Sequence, residues 1–443
     1  MKANALKILQ TLREHGFTAL FAGGCVRDMV MGREPGDYDI VTDASPQQVM
    51  KLFKRTVPVG EQFGIVIVMM KGVKYEVAQV RGATYPALSE APGASDFRED
   101  ALHRDFTING MFYDPSTDEI IDYVGGQHDI QQKLIRAIED PYARFEEDKL
   151  RMMRAVRFAI SYDYQIDPAT FNAMKYLAPY IQKVSVERIR DELIKILTAP
   201  HPDRGVRLLD EADLLAQILP EVTAMKNVPQ PIQFHPEGDV FTHTLLMLQQ
   251  MVSPSEAGNK NKKLTPELAM GVLLHDVGKP ATYTRTDRIC FHGHEQIGAE
   301  IAEQICSRLK FSAKATEKIV TLVKEHLKFF DVEQMRKSTL KRFLRQEHIN
   351  DLLELHRLDC LSSNRSLRTY KFCQTMLNEP RQESGQPPCL ISGNDLIQLG
   401  FTPGPIFKQV LEFIEDAQLE GTISTRKEAI DLVKEIQETL TGR

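Results

Sequence analysis

The sequence predicts an α+β protein, a small mixed sheet near the N-terminus followed by helices almost to the last residue. Two observations carry this. Short apolar patches of strand character recur near residues 18–22, 37–42, 64–70, 74–80 and 119–124, between helix-like segments. From Pro141 onward the period changes, and Leu150–Ile160, Val186–Leu197 and Val206–Ala216 place apolar residues three and four apart, the spacing of amphipathic helices.

The first patch, Ala19-Leu20-Phe21, runs into Gly23-Gly24 and a helix-like Val26–Met31. A glycine pair lets the backbone approach a phosphate at the start of a helix. Gly24 and, in the first turn, Arg27 are therefore candidate phosphate contacts. The second patch holds Asp37-Tyr38-Asp39. On a strand, alternate side chains share a face, which points both carboxylates the same way, roughly 7 Å apart along the backbone. Two convergent carboxylates facing a phosphate turn suit Mg²⁺. Glu76 falls on a nearby strand-like segment, where a strand-face residue held by a basic neighbour is the favoured reading, with a third catalytic carboxylate as the other.

Arg104 and Asp105 are adjacent and diverge on any regular element, so one can hold phosphate while the other holds sugar or orders the loop. A helix expected over 147–157 carries Arg151, Arg154 and Arg157 in one stripe, with Asp148 one turn before Arg151. Asp148 beside Arg151 presents an acceptor next to donors. That combination fits the exocyclic amine and ring acceptor of C or A, whereas U and G would set an oxygen against the carboxylate. Arg154 and Arg157 would support a triphosphate.

Prolines at 200, 202, 220, 229 and 231 break the chain before a new unit begins near Phe234. Polar Ser253–Lys263 reads as a loop and Pro380–Pro388 as a linker to a small helical tail. Between them lie HPEGDVFTHTLLML, LLHDVGKP and FHGHEQIG, rich in metal-ligand residue types.

A chain of 443 residues with 42% apolar and 26% charged residues suits a soluble protein of several domains. No apolar run approaches the ~20 residues of a membrane span, and Met1–Lys7 begins no signal peptide. Six cysteines (25, 290, 306, 360, 373, 389), with no C-x-x-C spacing, read as reduced thiols of a cytoplasmic protein. The net charge of −6 confines any RNA binding to local patches. The candidates are Lys51–Arg55, the arginine stripe of 151–157, and Arg336–Arg345.

The combination GG-x-V-R-D and G-D-x-D resembles the nucleotidyltransferase superfamily, specifically class II tRNA nucleotidyltransferases and bacterial poly(A) polymerases. The likeness continues in family order. It runs through Val59–Gly64, Tyr75–Ala78, Arg104–Asn109, Asp122–Gly126, Glu147–Arg151 with Arg154 and Arg157, Val186–Arg188 with Glu192-Leu193, and Gly393–Leu396 in the tail. It implies a polymerase-beta-like mixed-sheet head at 1–140, an all-α neck and body at 141–232, an HD-type helical domain at 233–379 and a helical tail at 389–443. It further implies Mg²⁺-dependent transfer of C and/or A from CTP and ATP to the tRNA 3′ end, with Asp37 and Asp39 as catalytic metal ligands. Gly24, Arg27, Arg104, Asp148, Arg151, Arg154 and Arg157 would bind nucleotide.

The later histidine motifs resemble the HD phosphohydrolases. The matching residues are His243, His275 and Asp276, with Asp359 as the fourth, holding a second divalent metal such as Mn²⁺, Ni²⁺ or Mg²⁺. His292, His294 and His326 are candidates for a further metal position. Such a domain carries phosphatase or 2′,3′-cyclic phosphodiesterase activity in some bacterial members; the other reading of these motifs is a degenerate domain kept as an RNA-binding scaffold.

Two departures from the family pattern bear on specificity. His103 stands where a first arginine is usual. Gly82–Asp100, with only Arg98 basic against four acidic residues, resembles the shortened loop of enzymes that add only the two cytidines. The competing readings are a poly(A) polymerase, disfavoured by the acidic tail ending at Arg443, and a metal-dependent phosphohydrolase whose head only binds RNA, disfavoured by the Asp37/Asp39 pair.

Overall fold

A computed structural model describes residues 1–59, 64–80, 94–252, 264–363, 366–378 and 390–441. The chain divides into two compact units, Met1–Thr223 with Arg308–Lys310, and Ala224–Ser307 with Phe311–Arg443.

The first unit is built on a seven-stranded sheet of order β3-β4-β5-β2-β1-β6-β7. Its strands are β1 Ala19–Ala22, β2 Asp39–Thr42, β3 Thr56–Val59, β4 Ile65–Met70, β5 Val73–Gln79, β6 Met111–Asp114 and β7 Glu119–Asp122. All neighbours run antiparallel except β2 and β5, which are parallel. β1 is buried along its whole length, as a strand with a neighbour on either side and cover on both faces must be. Helix α1 (Lys2–Glu14) buries Ala5, Ile8, Leu9 and Leu12, a stripe at helical spacing.

α2 (Gly24–Val30) follows β1 directly, and α3 (Pro46–Leu52) opens on a Ser45/Gln48 capping box. α4 (Ala94–Leu102) packs Phe97 and Ala101 on Leu20, Val41 and Phe112 of the sheet. Two strands, β3 and β6, went unread in the sequence. β3 contains Pro58, tolerated because β3 is an edge strand, and β6 emerges straight from a 3-10 turn at Thr107–Asn109.

Beyond a short helix α5 (Gly126–Gln131), the same unit continues as α6 (Pro141–Glu147), α7 (Arg151–Tyr162), α8 (Pro168–Leu177), α9 (Val186–Leu197) and α10 (Pro202–Glu211). The segment expected as one helix from Val206 to Ala216 stops at Glu211. Asp213 has φ 58°, and a separate helix Leu214–Ile218 begins after it.

The second unit is helical apart from a two-stranded ribbon at Thr284–Arg285 and Ile289–Cys290. Helices Val240–Val252, Pro266–Leu274, His294–Arg308, Ala313–Glu325 and Ile349–Ser362 carry the histidine motifs. The tail has a core of its own, with Leu396, Val410, Ile414 and Val433 among its buried members. Five described cysteines are free thiols. No helix among the described residues is long and apolar enough to cross a membrane.

Candidate active sites

In the first unit the Gly23-Gly24 turn, the β2/β5 pair and the Arg104 loop converge. Gly23 has φ 69°, and a side chain there would stand 2.9 Å from Arg104 Nη1 and 3.9 Å from Asp39 Oδ2. The positive φ calls for glycine, while the close contact is with the movable end of Arg104. Asp37 does not lie on a strand, because β2 begins only at Asp39 after the Pro35-Gly36 bend, and its side chain is exposed. The two carboxylates nonetheless feel each other. Burial, Asp37 and Glu76 push the Asp39 carboxyl up to about 6, while Arg104 and Arg27 act in the opposite sense.

Glu76 reaches this cluster through strand register. Ile40 pairs with Val77 in parallel, which sets Asp39 beside Glu76 on one face. Among the described residues Glu76 makes no ion pair. Three carboxylates with excess negative charge, one of them destabilised by the others, form a donor set suited to a hard divalent cation.

The arginines around this cluster are largely committed. Arg27 is buried, donates to Asp28 and to Asn109 Oδ1 (2.7 Å), and lies 4.6 Å from the Tyr162 ring centroid. Arg104 pairs with Asp100 at 3.0 Å and donates to Asn109 O. Asp105 turns the other way and receives two bonds from Arg154. Burial opposes charge on Asp105, but Arg154, the Asn109 amide and the Phe106 N–H outweigh it and hold its carboxyl below the usual range.

The expected helix over 147–157 is interrupted. α6 ends at Glu147, Asp148 is extended, and α7 starts at Arg151. Asp148 accepts from Leu150 N–H in the turn before the new helix. Asp148 and Arg151 are not a pair. Arg188 grips both Asp148 oxygens at 3.2 and 2.7 Å, while Arg151 donates to Arg144 O, His103 O and Glu147. Arg157 pairs with buried Glu192. Arg188 was visible in the sequence only as part of the Val186–Arg188 motif. The loop at 82–93 lies outside the described residues, while 94–100 belongs to α4.

The second unit gathers six side chains, Asp276 among them. His243 Nε2 lies 3.2 Å from Asp359 Oδ1, and His275 Nε2 3.1 Å from Asp276 Oδ2. His294 Nε2 and His326 Nε2 lie 3.4 and 3.8 Å from the other Asp276 oxygen. Every one of these rings has its Nδ1 on an acceptor: Glu237, Val272 O, Phe291 O and Val323 O respectively. The four Nε2 atoms are buried and lack any hydrogen-bond partner. Four orphaned imidazole nitrogens aimed at two aspartates are what a metal site needs. His243, His275 and Asp276 could hold one metal ion, with Asp359 beside His243, and Asp276, His294 and His326 a second. His292 is exposed and stands apart from both.

With no cation in place, burial works against a charged His243, but Asp359 and Glu237 outweigh it and push the ring up to about 9. Lys279, also buried, bonds Asp276 at 2.6 Å and Gln230 at 2.7 Å. Gly278 has no room for a side chain, since a Cβ would lie 2.2 Å from His294 O. Glu237 and Lys279 were missed as site residues, although HPEGD and HDVGK contain them.

Three family models match in order along the chain: the Poly A polymerase head domain over residues 19–136, a Probable RNA and SrmB- binding site of polymerase A over 163–226, and the HD domain over 240–361. The fold and sites thus define a nucleotidyltransferase head joined to a helical RNA-binding segment and an HD domain. A CCA-adding enzyme of Bacillus pumilus is 42% identical over 219 residues, 48% of this chain and 54% of that protein. The matched region therefore spans about half the length of such curated relatives.

An A-adding tRNA nucleotidyltransferase of Deinococcus radiodurans is 29% identical over 96% of both chains. The crystal structure of a Bacillus stearothermophilus CCA-adding enzyme in complex with CTP superposes with a TM-score of 0.72 at 25% identity, covering 99% of this chain and 98% of that one. The chain belongs to the class II tRNA nucleotidyltransferase family of CCA-adding enzymes and bacterial poly(A) polymerases, with an appended HD-type domain.

Proposed function

We propose that this protein transfers C and/or A residues, CCA or part of it, from CTP and ATP to the 3′ end of tRNA. The observation that supports it best is the cluster of Asp39, Asp37 and Glu76 against the Gly23 turn and Arg104. Asp37 and Asp39 would hold Mg²⁺, which when bound assists attack by the RNA 3′-hydroxyl on the α-phosphate and departure of pyrophosphate. Glu76, on the same face as Asp39, takes the proton of that hydroxyl. Gly23 and Gly24 give a triphosphate room to approach, and the donors that Arg27 and Arg104 have not spent internally face it. Asp148 accepts the exocyclic amine of C or A. Arg151, clamped on two backbone carbonyls, fixes the wall beside it, and Arg154 and Arg157 hold α7 in place.

In the HD domain His243, His275, Asp276 and Asp359 would hold a second divalent metal such as Mn²⁺, Ni²⁺ or Mg²⁺. Such a site favours hydrolysis of a phosphate ester or 2′,3′-cyclic phosphate. The Deinococcus relative that aligns from end to end adds A, and it favours the narrower reading that this chain completes tRNAs already ending in CC.

The test offers Mg²⁺, CTP, ATP or both to tRNA transcripts lacking CCA, ending in C, and ending in CC, with products resolved at single-nucleotide length. Growth by C, C and A supports a complete CCA enzyme. Growth by A on the CC transcript alone supports the narrower reading. Unlimited A addition indicates a poly(A) polymerase, and no growth overturns the proposal.

A further inference from the structure

Three basic runs mark this acidic chain, and the fold treats them differently. The stripe Arg151, Arg154 and Arg157 is spent on Glu147, Asp105 and Glu192. In the run 336–345, Arg342 pairs with Glu415 and Asp416 and Lys341 bonds Leu419 O, while Arg336, Lys337 and Arg345 are exposed and make no ion pair among the described residues. The run 51–55 keeps its charges. Lys51, Lys54 and Arg55 are exposed and make no ion pair among the described residues, and the same holds for Lys71 and Lys74.

These five cations come from three segments around one end of the β3–β4–β5 meander, Arg55 and Lys74 on one face of the sheet and Lys51 on the helix that covers the other. Lys51 closes α3, and Lys54 and Arg55 lead into β3. Lys71 occupies the β4–β5 turn and Lys74 lies on β5. Met69 N–H donates to Arg55 O, and Met69 pairs with Lys74, so Arg55, Met69 and Lys74 form one row on one face. At the end of the hairpin a cleft of about 430 Å³ opens between Lys54, Arg55 and Lys71, floored by Phe53, Val68 and Met70. Residues 44–80 hold only Glu61 and Glu76 as acids against five cations.

Protection of the sheet edge does not account for this. The exposed edge, Thr56–Val59, carries no charge and is blocked by Pro58 instead, and Lys74 is on an interior strand. Lys71 has φ 50° beside Gly72 at φ 79°, a two-residue turn in which asparagine and glycine are favoured. A lysine sits there against backbone preference.

We propose that this end of the head sheet docks the sugar–phosphate backbone of the RNA substrate. Separate, unneutralised cations suit a line of phosphates, and the apolar floor suits ribose edges. Lys74 lies two residues from Glu76 and shares its face of β5. The inference rests on the tRNA reading above for the identity of the RNA.

The test compares wild type, Lys51→Ala/Lys54→Ala/Lys71→Ala and the matching triple arginine variant on a tRNA transcript lacking its 3′ end. Filter binding over a range of NaCl gives Kd and its salt slope, and transfer at saturating tRNA gives kcat. The alanine variant should bind roughly ten-fold more weakly, with a salt slope smaller by about 2, unchanged thermal melting and kcat within about two-fold of wild type. The arginine variant should bind like wild type. An unchanged Kd and slope in the alanine variant, or equal loss in the arginine variant, overturns the surface. Binding is read without catalysis. Salt-sensitive RNA binding that depends on these lysines, in a protein that transfers no nucleotide, would sink the transfer reading and leave the surface standing.

Discussion

Arg154 of α7 donates through Nε and Nη2 to a single oxygen of Asp105, at 2.8 and 2.6 Å. The bond ties the loop that carries Arg104 to the helix that follows Asp148. Asp105 is buried, and its folded carboxyl is held below its ordinary range. A depressed carboxylate contributes stability above its unfolded value, near 3.9, and loses it as pH falls through the folded value. Asp105→Asn should therefore cost about 2–3 kcal/mol at neutral pH, since it strands a partly buried guanidinium. Urea melts should show the difference shrinking below about pH 4.

Asp37→Ala/Asp39→Ala should abolish nucleotide transfer, a loss of at least roughly 10³-fold if the cluster holds the metal. Any phosphatase activity of the second unit should survive, since His243, His275 and Asp276 all lie in the other compact unit. Residual transfer near the wild-type rate would remove these residues from the active site.

Glu237 Oε1 accepts from both His243 Nδ1 and His235 Nδ1, at 2.6 and 2.8 Å. That contact fixes which His243 nitrogen is left for a metal. Glu237→Leu should weaken divalent-metal affinity of the purified protein roughly 10- to 100-fold, measured by equilibrium dialysis against Mn²⁺ or Ni²⁺. Transfer by the first unit should be unaffected.

Arg188 is the only described side chain that holds both Asp148 oxygens. If Asp148 reads the base, Arg188→Ala leaves that carboxylate free to rotate. Selection of CTP or ATP over UTP should then fall roughly ten-fold in kcat/KM, with little change in melting temperature because the pair is half exposed. Unchanged discrimination would mean that Arg188 serves α9 alone.

The sequence announced the Gly23 turn, the strand entry at Asp39 and the His275-Asp276 pair because each depends on local order. What it hid was set by partners far along the chain. Asp148 was read with Arg151, three residues away, yet its partner is Arg188, forty residues on. Glu76 could be read from sequence either as held by a basic neighbour or as a third carboxylate of the site, and only the pairing of β5 with β2 shows that it lies beside Asp39. The break at Asp148 escaped notice because arginines at 151, 154 and 157 continue a helical rhythm that says nothing about where the helix starts. His294 and His326 were flagged in the sequence, and only the packing of two further helices shows that they share Asp276.

The single parallel pairing in the sheet, β2 with β5, also orders events during folding. β3, β4 and β5 are joined by short connections and pair antiparallel, so that meander closes small loops and forms early. Joining β5 to β2 spans thirty residues between Thr42 and Val73 and comes later. Asp39 and Glu76 meet only at that step, which keeps two mutually repelling carboxylates apart until the meander is already built and able to hold them together.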